Sequence, residues 1–292
     1  MKLSRISWKL VGLLVLLAFT AFFFVPVIWV VLATTKTDLQ LTSSSPFTFG
    51  SIHTFIEAWK ALFGFDNGIM ASWLKNSAIY SIGAVALAAF AAVPAGYGLA
   101  LTRFIGRKTL LGITLITMIM PATALVLPLF LEMNSVHLTD TPWSVILPLS
   151  FFPFGVYLCY IFFSSTIPKD LLAAARVDGC NEWGVFRYLA LPLARPVVAL
   201  VAFFAFVADW NNYYLPFVML SDNNKLPVQV GLEYLISSTA AFNPGNPGSG
   251  TELVKRPELA LAVLVAIAVV AIVFLFAQRT LVKGLLAGAT KE

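Results

Sequence analysis

The side chains best suited to chemistry form a short polar and aromatic cluster inside an apolar stretch. Asp209 is followed directly by Trp210, Asn211, Asn212 and Tyr213. Ionisable residues inside apolar spans are costly and usually face the interior of a helix bundle. Amides can hydrogen-bond a polar solute and aromatic faces can pack against it, so the cluster is a candidate solute pathway. The alternative is interhelical hydrogen bonding together with an interfacial aromatic belt.

No motif for covalent, metal or nucleotide chemistry accompanies this cluster. The sequence lacks a G-x-x-x-x-G-K-[ST] phosphate loop, a G-x-S-x-G nucleophile elbow and an H-E-x-x-H metal motif. Its two histidines, His53 and His137, and its two cysteines, Cys159 and Cys180, have no metal-ligand spacing. We therefore expect no catalytic residue, no metal site and no bound cofactor in this chain.

The composition indicates that lipid surrounds most of the chain. Of the 292 residues, 59% are hydrophobic and 11% are charged, whereas soluble domains carry about 25% charged residues. A water-soluble fold could not hide so much apolar side chain, because much of its surface must face solvent. The net charge of +5 belongs to residues between apolar runs, so it does not point to nucleic acid.

Apolar runs of about 20 residues are long enough to cross a bilayer as helices. We predict an all-α membrane protein with one transmembrane domain over residues 1–292. The first apolar run, Leu10–Ala33, is longer than the core of a signal peptide, so we expect it to be a retained helix. The predicted spans are 10–33, 76–102, 109–132, 143–165, 196–220 and 258–278.

The distribution of Lys and Arg predicts that both ends of the chain are cytoplasmic. Most of the 19 basic residues fall in the segments that this orientation places inside. Two long segments, 34–75 and 221–257, are then external. The Pro/Gly-rich stretch 243–250 in the second is typical of a turn-rich loop, and its role stays open.

The predicted cytoplasmic loop, residues 166–196, has the pattern of a helix–turn–helix. Pro168 suits the first turn of a helix, Gly179 can end that helix, and Asn181 can cap a second one. Small residues on the first helix permit close approach by another protein. From residue types alone, a docking surface and an amphipathic connector on lipid headgroups are equally open.

The spacing in this loop resembles the EAA motif of permease subunits in ATP-binding-cassette (ABC) importers. That motif reads E-A-A, three residues, G, nine residues and I-x-L-P. The matching residues here are Ala173-Ala174-Ala175, Gly179 and Leu189-Ala190-Leu191-Pro192. The resemblance implies an ATPase-coupling loop that includes Ala173, Ala174, Ala175, Asp178, Gly179, Trp183, Arg187, Leu191 and Pro192.

One position departs from the motif. The family's glutamate is Ala173 here, and in the family that acid helps to attach the loop to the ATPase through polar contacts. The departure affects one contact rather than docking as a whole. We hypothesise that a second permease subunit keeps its glutamate, and that coupling at this loop depends on Asp178, Trp183 and packing.

Further matches extend along nearly the whole chain, and they resemble most the maltose-permease G-type subunit of the carbohydrate-uptake family. They are Trp73–Ser77 for W-x-x-N-S, Gly96–Phe104 for A-Y-A-L-A-R-F, Trp210–Pro216 for W-N-D-F-L-x-P and Gln278–Lys291 for the C-terminal Q-R-Y-F-V-x-G-L-T-A-G-A-V-K.

This resemblance implies the type I importer permease fold and uptake of a sugar or sugar-like solute by alternating access. It implies four kinds of partner: a second, F-type permease subunit, two ATPase subunits that hold ATP and Mg, an extracytoplasmic solute-binding protein, and membrane lipid. The resemblance also implies that this subunit is located in a bacterial or archaeal plasma membrane. The carried sugar or polyol phosphate stays open.

The resemblance also bears on two groups of residues. The candidate pathway comprises Asn76, Asp209, Trp210, Asn211, Asn212 and Tyr213, although for Asn76 the sequence favours a helix cap or an interhelical hydrogen bond. The candidate ATPase-contacting tail includes Lys283, Gly284 and Lys291, and its alternative is a basic tail held by anionic lipid. A stand-alone secondary transporter is the rival function, but it needs a coupling-ion site for which only Asp209 is a candidate.

Overall fold

The computed structural model describes residues 2–239 and 254–289, and within these ranges all regular secondary structure is helical. The all-α prediction is confirmed. The Pro/Gly stretch 243–250 lies outside the described residues. In chain order the α-helices are α1 (Lys2–Ala33), α2 (Asp38–Ser43), α3 (Ile52–Gly64), α4 (Ile69–Leu101), α5 (Arg107–Ile119), α6 (Ala122–Ser135), α7 (Pro142–Ser150), α8 (Pro153–Thr166), α9 (Lys169–Val177), α10 (Glu182–Gly184), α11 (Leu191–Leu193), α12 (Arg195–Trp210), α13 (Tyr214–Met219), α14 (Val228–Ser237) and α15 (Arg256–Ala289).

Four helical stretches in the described part of the chain are long and apolar enough to cross a membrane. The count rises to six if each of two bent helix pairs forms one span. The four stretches are Lys9–Ala33, Ile52–Leu101, Pro142–Thr166 and Arg256–Thr280, and the pairs are Arg107–Ile119 with Ala122–Ser135 and Glu182–Leu193 with Arg195–Trp210.

The predicted span 109–132 is not one continuous helix. Helices α5 and α6 meet at an angle of 106°. Met120 has extended backbone angles (φ −68°, ψ 131°) directly before Pro121, because the proline ring disfavours helical angles at the preceding residue. The helix axis therefore changes direction between α5 and α6.

The predicted span 196–220 also ends early as a helix. Helix α12 stops at Trp210, and the chain resumes helical structure only at Tyr214. The side-chain Oδ1 of Asn212 accepts a hydrogen bond from the backbone N–H of Leu215 at 3.2 Å. This bond supplies a partner for a backbone donor in the first turn of α13, so the polar cluster lies at a helix-to-helix junction.

The described chain divides into two compact units, Met1–Ala71 with Leu232–Ile267, and Ser72–Gly231 with Ala268–Glu292. That residues 1–292 form a single domain stays a prediction. In the first unit, the side chain of Lys36 is only 2% exposed. Its Nζ donates to the carbonyl oxygens of Ser45 at 2.7 Å and Pro46 at 3.2 Å, so the segment after α1 is folded back on itself.

The second unit contains the predicted coupling loop and the polar cluster. Helix α8 packs against α5 and α12. At Gly96 of α4, an added methyl group would overlap Cβ of Cys159 in α8, so the missing side chain permits the two helices to approach closely. The core between them also receives residues from the loop, which include Leu172, Val185, Phe186 and Ala190.

Candidate coupling loop and solute cavity

The first helix of the loop, α9, ends at Val177, and Gly179 lies just past its end, in the position that the sequence predicts for a glycine that stops the helix. Gly179 has φ +86°, a left-handed angle that glycine adopts without strain. Two backbone bonds close the end of α9: Gly179 N–H to Arg176 O at 3.1 Å and Cys180 N–H to Ala175 O at 3.0 Å. Apart from Gly179 and the residues next to it in the chain, no described heavy atom lies within 4 Å of where a Cβ on Gly179 would be. The glycine is therefore required for its backbone angle and not for space.

Asn181 begins the second part of the loop. Its Oδ1 accepts from the backbone N–H of Gly184 at 2.8 Å, which is the predicted cap. The backbone then continues through a π-helical stretch, Val185–Ala190. The proline of the motif, Pro192, follows in α11. The helix–turn–helix prediction is confirmed, with a π-helical turn that the sequence does not reveal.

The loop has an inner and an outer face. Leu172, Val185, Phe186 and Ala190 are buried in the core. By contrast, almost all the predicted coupling residues are exposed: Ala173, Ala174, Asp178, Gly179, Trp183, Arg187, Leu191 and Pro192, with Ala175 half-buried. Two residues that the sequence analysis missed, Val177 at 88% and Tyr188 at 74% exposure, add apolar surface to the outer face.

An acid that the sequence analysis did not select holds the two parts of the loop together. Glu182 Oε1 accepts from the Arg176 guanidinium, with Nη2 at 2.9 Å and Nε at 3.1 Å. Its other oxygen, Oε2, accepts from the Tyr97 hydroxyl of α4 at 3.3 Å. Glu182 thus joins α9, the second part of the loop and a predicted membrane helix.

Tyr97 is itself fixed by aromatic packing. Its ring lies 5.0 Å from the ring of Phe186 in the loop and 5.7 Å from that of Phe163 in α8, measured between centroids. Such tilted and edge-on pairs stabilise packing beyond area burial. The hydrogen bond and the aromatic contacts make Tyr97 a direct connection between the loop and two predicted spans.

A cavity of about 590 Å³ lies beside the polar cluster, between α6, the α7–α8 junction and the α12–α13 junction. Most of its lining is apolar, and its polar side chains come from Asp209, Asn212, Glu132, Thr123 and Tyr214. This volume falls within the range of small-molecule sites, which combine an apolar wall with a few polar groups.

Asp209 contributes the most unusual group to this cavity. The residue is 9% exposed, and its Oδ2 has no hydrogen-bond partner among the described residues. Buried polar atoms nearly always have a partner, so each exception needs an explanation. Asp209 and Asn212 are the two members of the predicted pathway that line the cavity.

The other candidates from the cluster make local contacts. Trp210 is buried and its ring stacks on Phe206 at 5.6 Å. The Asn211 amide donates to the carbonyl of Val207 at 2.7 Å, and the Tyr213 ring stacks on Phe217 at 5.3 Å. None of these three lines the described cavity, so their part in a solute pathway stays a prediction.

Asn76 anchors a loop. Its Nδ2 donates to the carbonyls of Asn224 at 2.7 Å and Leu226 at 3.1 Å. Neighbouring residues of α4 bind the same loop. The Trp73 Nε1–H and the Tyr80 hydroxyl donate to the backbone carbonyls of Asn223 and Lys225, respectively. The Ser77 hydroxyl oxygen accepts from the backbone N–H of Val228. The W-x-x-N-S match therefore has a structural explanation as a set of loop contacts.

We predict that Asn76→Ala lowers stability while it leaves transport per folded molecule unchanged. The substitution removes the donor from two carbonyls, which costs about 1–3 kcal/mol where such groups stay buried. Thermal unfolding of the purified protein measures the change, and Asn134→Ala, an exposed amide, is the control. Normal stability with defective uptake would instead favour a role for Asn76 in solute contact.

The same loop is held by an ion pair outside the predicted spans. Lys225 Nζ donates to Asp140 Oδ2 at 2.5 Å and to the Asp140 carbonyl at 2.9 Å. Asp140 Oδ1 accepts from the backbone N–H groups of Ser221 and Asp222. The hydrogen bond from Lys225 lowers the pKa of Asp140, and the bond to Asp140 raises the pKa of Lys225.

This pair predicts a pH dependence of stability. Because the folded pKa of Asp140 is lowered, its contribution is complete above the unfolded value of about 3.9. It is lost as the pH falls through the folded pKa. Thermal unfolding should therefore show Asp140→Asn to be less stable than wild type at pH 7, with the difference shrinking in acid. A difference that is constant with pH would contradict this role.

The predicted ATPase-contacting tail lies only partly within the described residues. Lys283 and Gly284 of the predicted tail lie in α15, whereas Lys291 lies outside the described residues. Among the described residues, no group of three or more His, Cys, Asp or Glu side chains could hold a metal ion. Contact of the tail with an ATPase stays a prediction.

Comparison with known proteins shows the class to which this architecture belongs. Residues 84–286 match the family described as "Binding-protein-dependent transport system inner membrane component". The fold is similar to that of a bacterial ABC transporter involved in the import of the acidic polysaccharide alginate. The TM-score is 0.79 at 22% identity, covering 93% of this chain and 95% of that one. The likeness supports the type I permease fold.

Several curated relatives are similar to this chain over almost its full length. The arabinooligosaccharides permease protein AraQ of Halalkalibacterium halodurans is 31% identical, covering 98% of this chain and 97% of the relative. The polygalacturonan/rhamnogalacturonan permease protein YtcP of Bacillus subtilis is 30% identical, covering 94% and 95%. The lactose permease protein LacG of Rhizobium radiobacter is 30% identical, covering 94% and 93%. This chain belongs to the binding-protein-dependent transport system inner membrane component family, and it is a membrane-embedded transport component.

Proposed function

We propose that this chain is the permease subunit of an ATP-driven importer for a sugar or sugar-like solute, and that it forms half of the translocation pathway. The main observation in support of this proposal is that the loop 166–196 has one buried face and one exposed face. Its inner face is buried against α4 and α8, while its outer face exposes the residues that match the EAA motif. That arrangement suits a loop that transmits motion from a bound protein to the spans.

The partners follow from the family and from what the sequence lacks. A binding-protein-dependent system includes an extracytoplasmic solute-binding protein, and the chain has no phosphate loop of its own. Two ATPase subunits that hold ATP and Mg would therefore bind the loops, and a second, F-type permease would complete the pathway. The assembly would lie in a bacterial or archaeal plasma membrane.

The mechanism is alternating access. ATP closes the ATPase dimer, the outer face of the loop moves with it, and Tyr97, Phe186 and Phe163 pass the motion to α4 and α8. The loop must contact its partner differently in two states, because only a difference in contact free energy can shift an equilibrium. The cavity beside Asp209 would then face each side in turn.

Reconstitution tests the proposal. The chain is combined with a second permease, an ATPase and a binding protein encoded beside it, and uptake of labelled oligosaccharides into proteoliposomes is measured. We expect uptake that requires ATP and the binding protein. Uptake that persists without the ATPase and collapses with the proton gradient would establish the rival secondary transporter.

The similar proteins leave the charge of the solute open. One is named for lactose, which is neutral, and the solved structure concerns the acidic polysaccharide alginate. The family resemblance supports a saccharide but does not separate neutral from anionic ones.

A further inference from the structure

We infer that the cavity beside Asp209 binds the hydroxyl groups of an uncharged sugar and rejects sugars that carry a carboxylate or phosphate. This inference rests on the proposed function, since it names the solute class of the same pathway. Three observations support it: the volume of the cavity, the Asp209 oxygen that has no hydrogen-bond partner among the described residues, and the charges of the side chains that line the cavity.

The space suits an oligosaccharide unit. The cavity of about 590 Å³ is walled by apolar side chains that include Leu129, Phe151 and Phe152. Apolar and aromatic surfaces pack against the C–H faces of a sugar ring, and the few polar groups then fix its orientation.

The buried carboxyl group needs a hydrogen-bond donor. Asp209 Oδ2 lacks one among the described residues, and a buried acceptor without a donor is costly. Sugar hydroxyls both donate and accept hydrogen bonds, so they can satisfy the oxygens of this buried carboxyl group. Asn212, whose Oδ1 is already bonded to Leu215 N–H, keeps its amide nitrogen as a donor for a hydroxyl oxygen.

The charges of the lining decide between neutral and anionic sugars. The ionisable side chains around the described cavity include two carboxyl groups, Asp209 and Glu132, and no Lys, Arg or His. A charge moved into an apolar cavity needs a counter-charge. An anionic sugar would find none in the lining of the described cavity and would lie beside two acidic side chains. A neutral sugar avoids that cost.

A matched pair of disaccharides tests the inference on the assembled complex in proteoliposomes. Galactobiose and digalacturonate differ only at C6, where a hydroxymethyl group is replaced by a carboxylate, and cellobiose with its diuronate extends the panel. Dicyclohexylcarbodiimide modifies carboxyl groups in apolar surroundings, so peptide mass spectrometry can follow labelling of Asp209. We expect a neutral disaccharide to reduce labelling of Asp209 at least about fivefold, and the uronates to leave it unchanged.

Variants add a second readout. Asp209→Asn keeps the shape but replaces one carboxyl oxygen by an amide nitrogen that cannot accept a hydrogen bond, and we expect roughly tenfold slower uptake of the neutral sugar. Asp209→Lys supplies a counter-charge and should favour the uronate. Glu57→Gln, an exposed acid of α3, is the control. The expression level and thermal unfolding of each variant complex show whether it is folded.

The outcomes separate the two claims. Protection of Asp209 by a uronate as strong as by its neutral partner overturns the inference, as does unchanged neutral uptake in Asp209→Asn. Loss of labelling on assembly alone, without sugar, would assign Asp209 to the second permease subunit and also overturns it. Absence of ATP-driven uptake for every sugar contradicts the proposed function itself.

Discussion

Replacing Gly179 by valine should reduce ATP-driven uptake at least about tenfold while leaving the protein folded. The backbone at Gly179 has φ +86°, and a β-branched residue there is strained by about 1–3 kcal/mol. The strain is relieved most simply by opening the turn that joins α9 to Asn181. The outer face would then lose the fixed arrangement of its two parts, because Asp178 and Trp183 lie on opposite sides of this turn.

The surroundings of Gly179 make the experiment specific. Apart from Gly179 and the residues next to it in the chain, no described heavy atom lies within 4 Å of a Cβ placed there, so the side chain starts into open space and away from the core. Thermal unfolding of Gly179→Val should therefore show only the loss of about 1–3 kcal/mol that the local backbone strain causes, and the protein should stay folded. The measurement that matters is solute-stimulated ATP hydrolysis by the assembled complex, together with uptake.

Gly179→Asn is the matched control. Asparagine tolerates left-handed backbone angles far better than β-branched residues, so this variant should retain most of the coupled activity. If valine and asparagine reduce activity equally, then added bulk on the outer face, rather than the backbone angle, is the cause. Full activity of the valine variant would exclude a fixed turn from the coupling mechanism.

The loop was predictable because its determinants are local. Gly179 and Asn181 act on backbone groups within five residues of themselves, so the residue types alone indicate a turn and a cap. The exposed outer face also follows from the match to the motif. Which side of the loop is buried could not be predicted from the loop alone. The core that surrounds Phe186 includes residues of α4, α8 and α12 that lie outside the loop.

The break between α5 and α6 illustrates what the sequence could not decide. Pro121 was visible within the predicted span 109–132, but prolines also lie inside continuous helices at Pro26, Pro94 and Pro128. A proline alone therefore does not predict a bend of 106°. Whether the helix continues depends on neighbouring helices that can satisfy the freed backbone groups.

The contacts of Asn76 were unpredictable for a related reason. Its partners, Asn224 and Leu226, lie about 150 residues further along the chain. Residue type suggested a cap, an interhelical bond or a solute contact, and only the fold identifies the loop that it binds. For Asp209 the sequence indicated an inward-facing acid, and the structure adds the cavity that it lines.

Glu182 is the residue through which we expect the loop to act on the membrane helices. Its carboxylate binds the Arg176 guanidinium at 2.9 Å and the Tyr97 hydroxyl at 3.3 Å. The ion pair itself is half-exposed and so contributes little to stability, since exposed pairs are worth about 0–1 kcal/mol. Its importance is positional, because one side chain fixes α9 and α4 in a single arrangement.

Glu182→Ala should therefore change coupling more than stability. We expect solute-stimulated ATP hydrolysis and uptake to fall roughly tenfold, because losing the contacts to Arg176 and Tyr97, at about 1.4 kcal/mol together, amounts to that ratio in an equilibrium between loop positions. The unfolding temperature should change little. Basal ATP hydrolysis, which needs no solute, should persist, so the ratio of stimulated to basal activity is the quantity to measure.

Companion variants separate the two contacts. Tyr97→Phe removes the hydroxyl but keeps the aromatic packing on Phe163 and Phe186, so it tests the bond to the membrane helix alone. Arg176→Gln tests the bond to α9. If motion passes through Glu182 to α4, Tyr97→Phe should reproduce most of the Glu182→Ala defect, and the double variant should be no worse than Glu182→Ala. Additive defects would mean that the loop and the spans are coupled by packing, with Glu182 only closing the loop on itself.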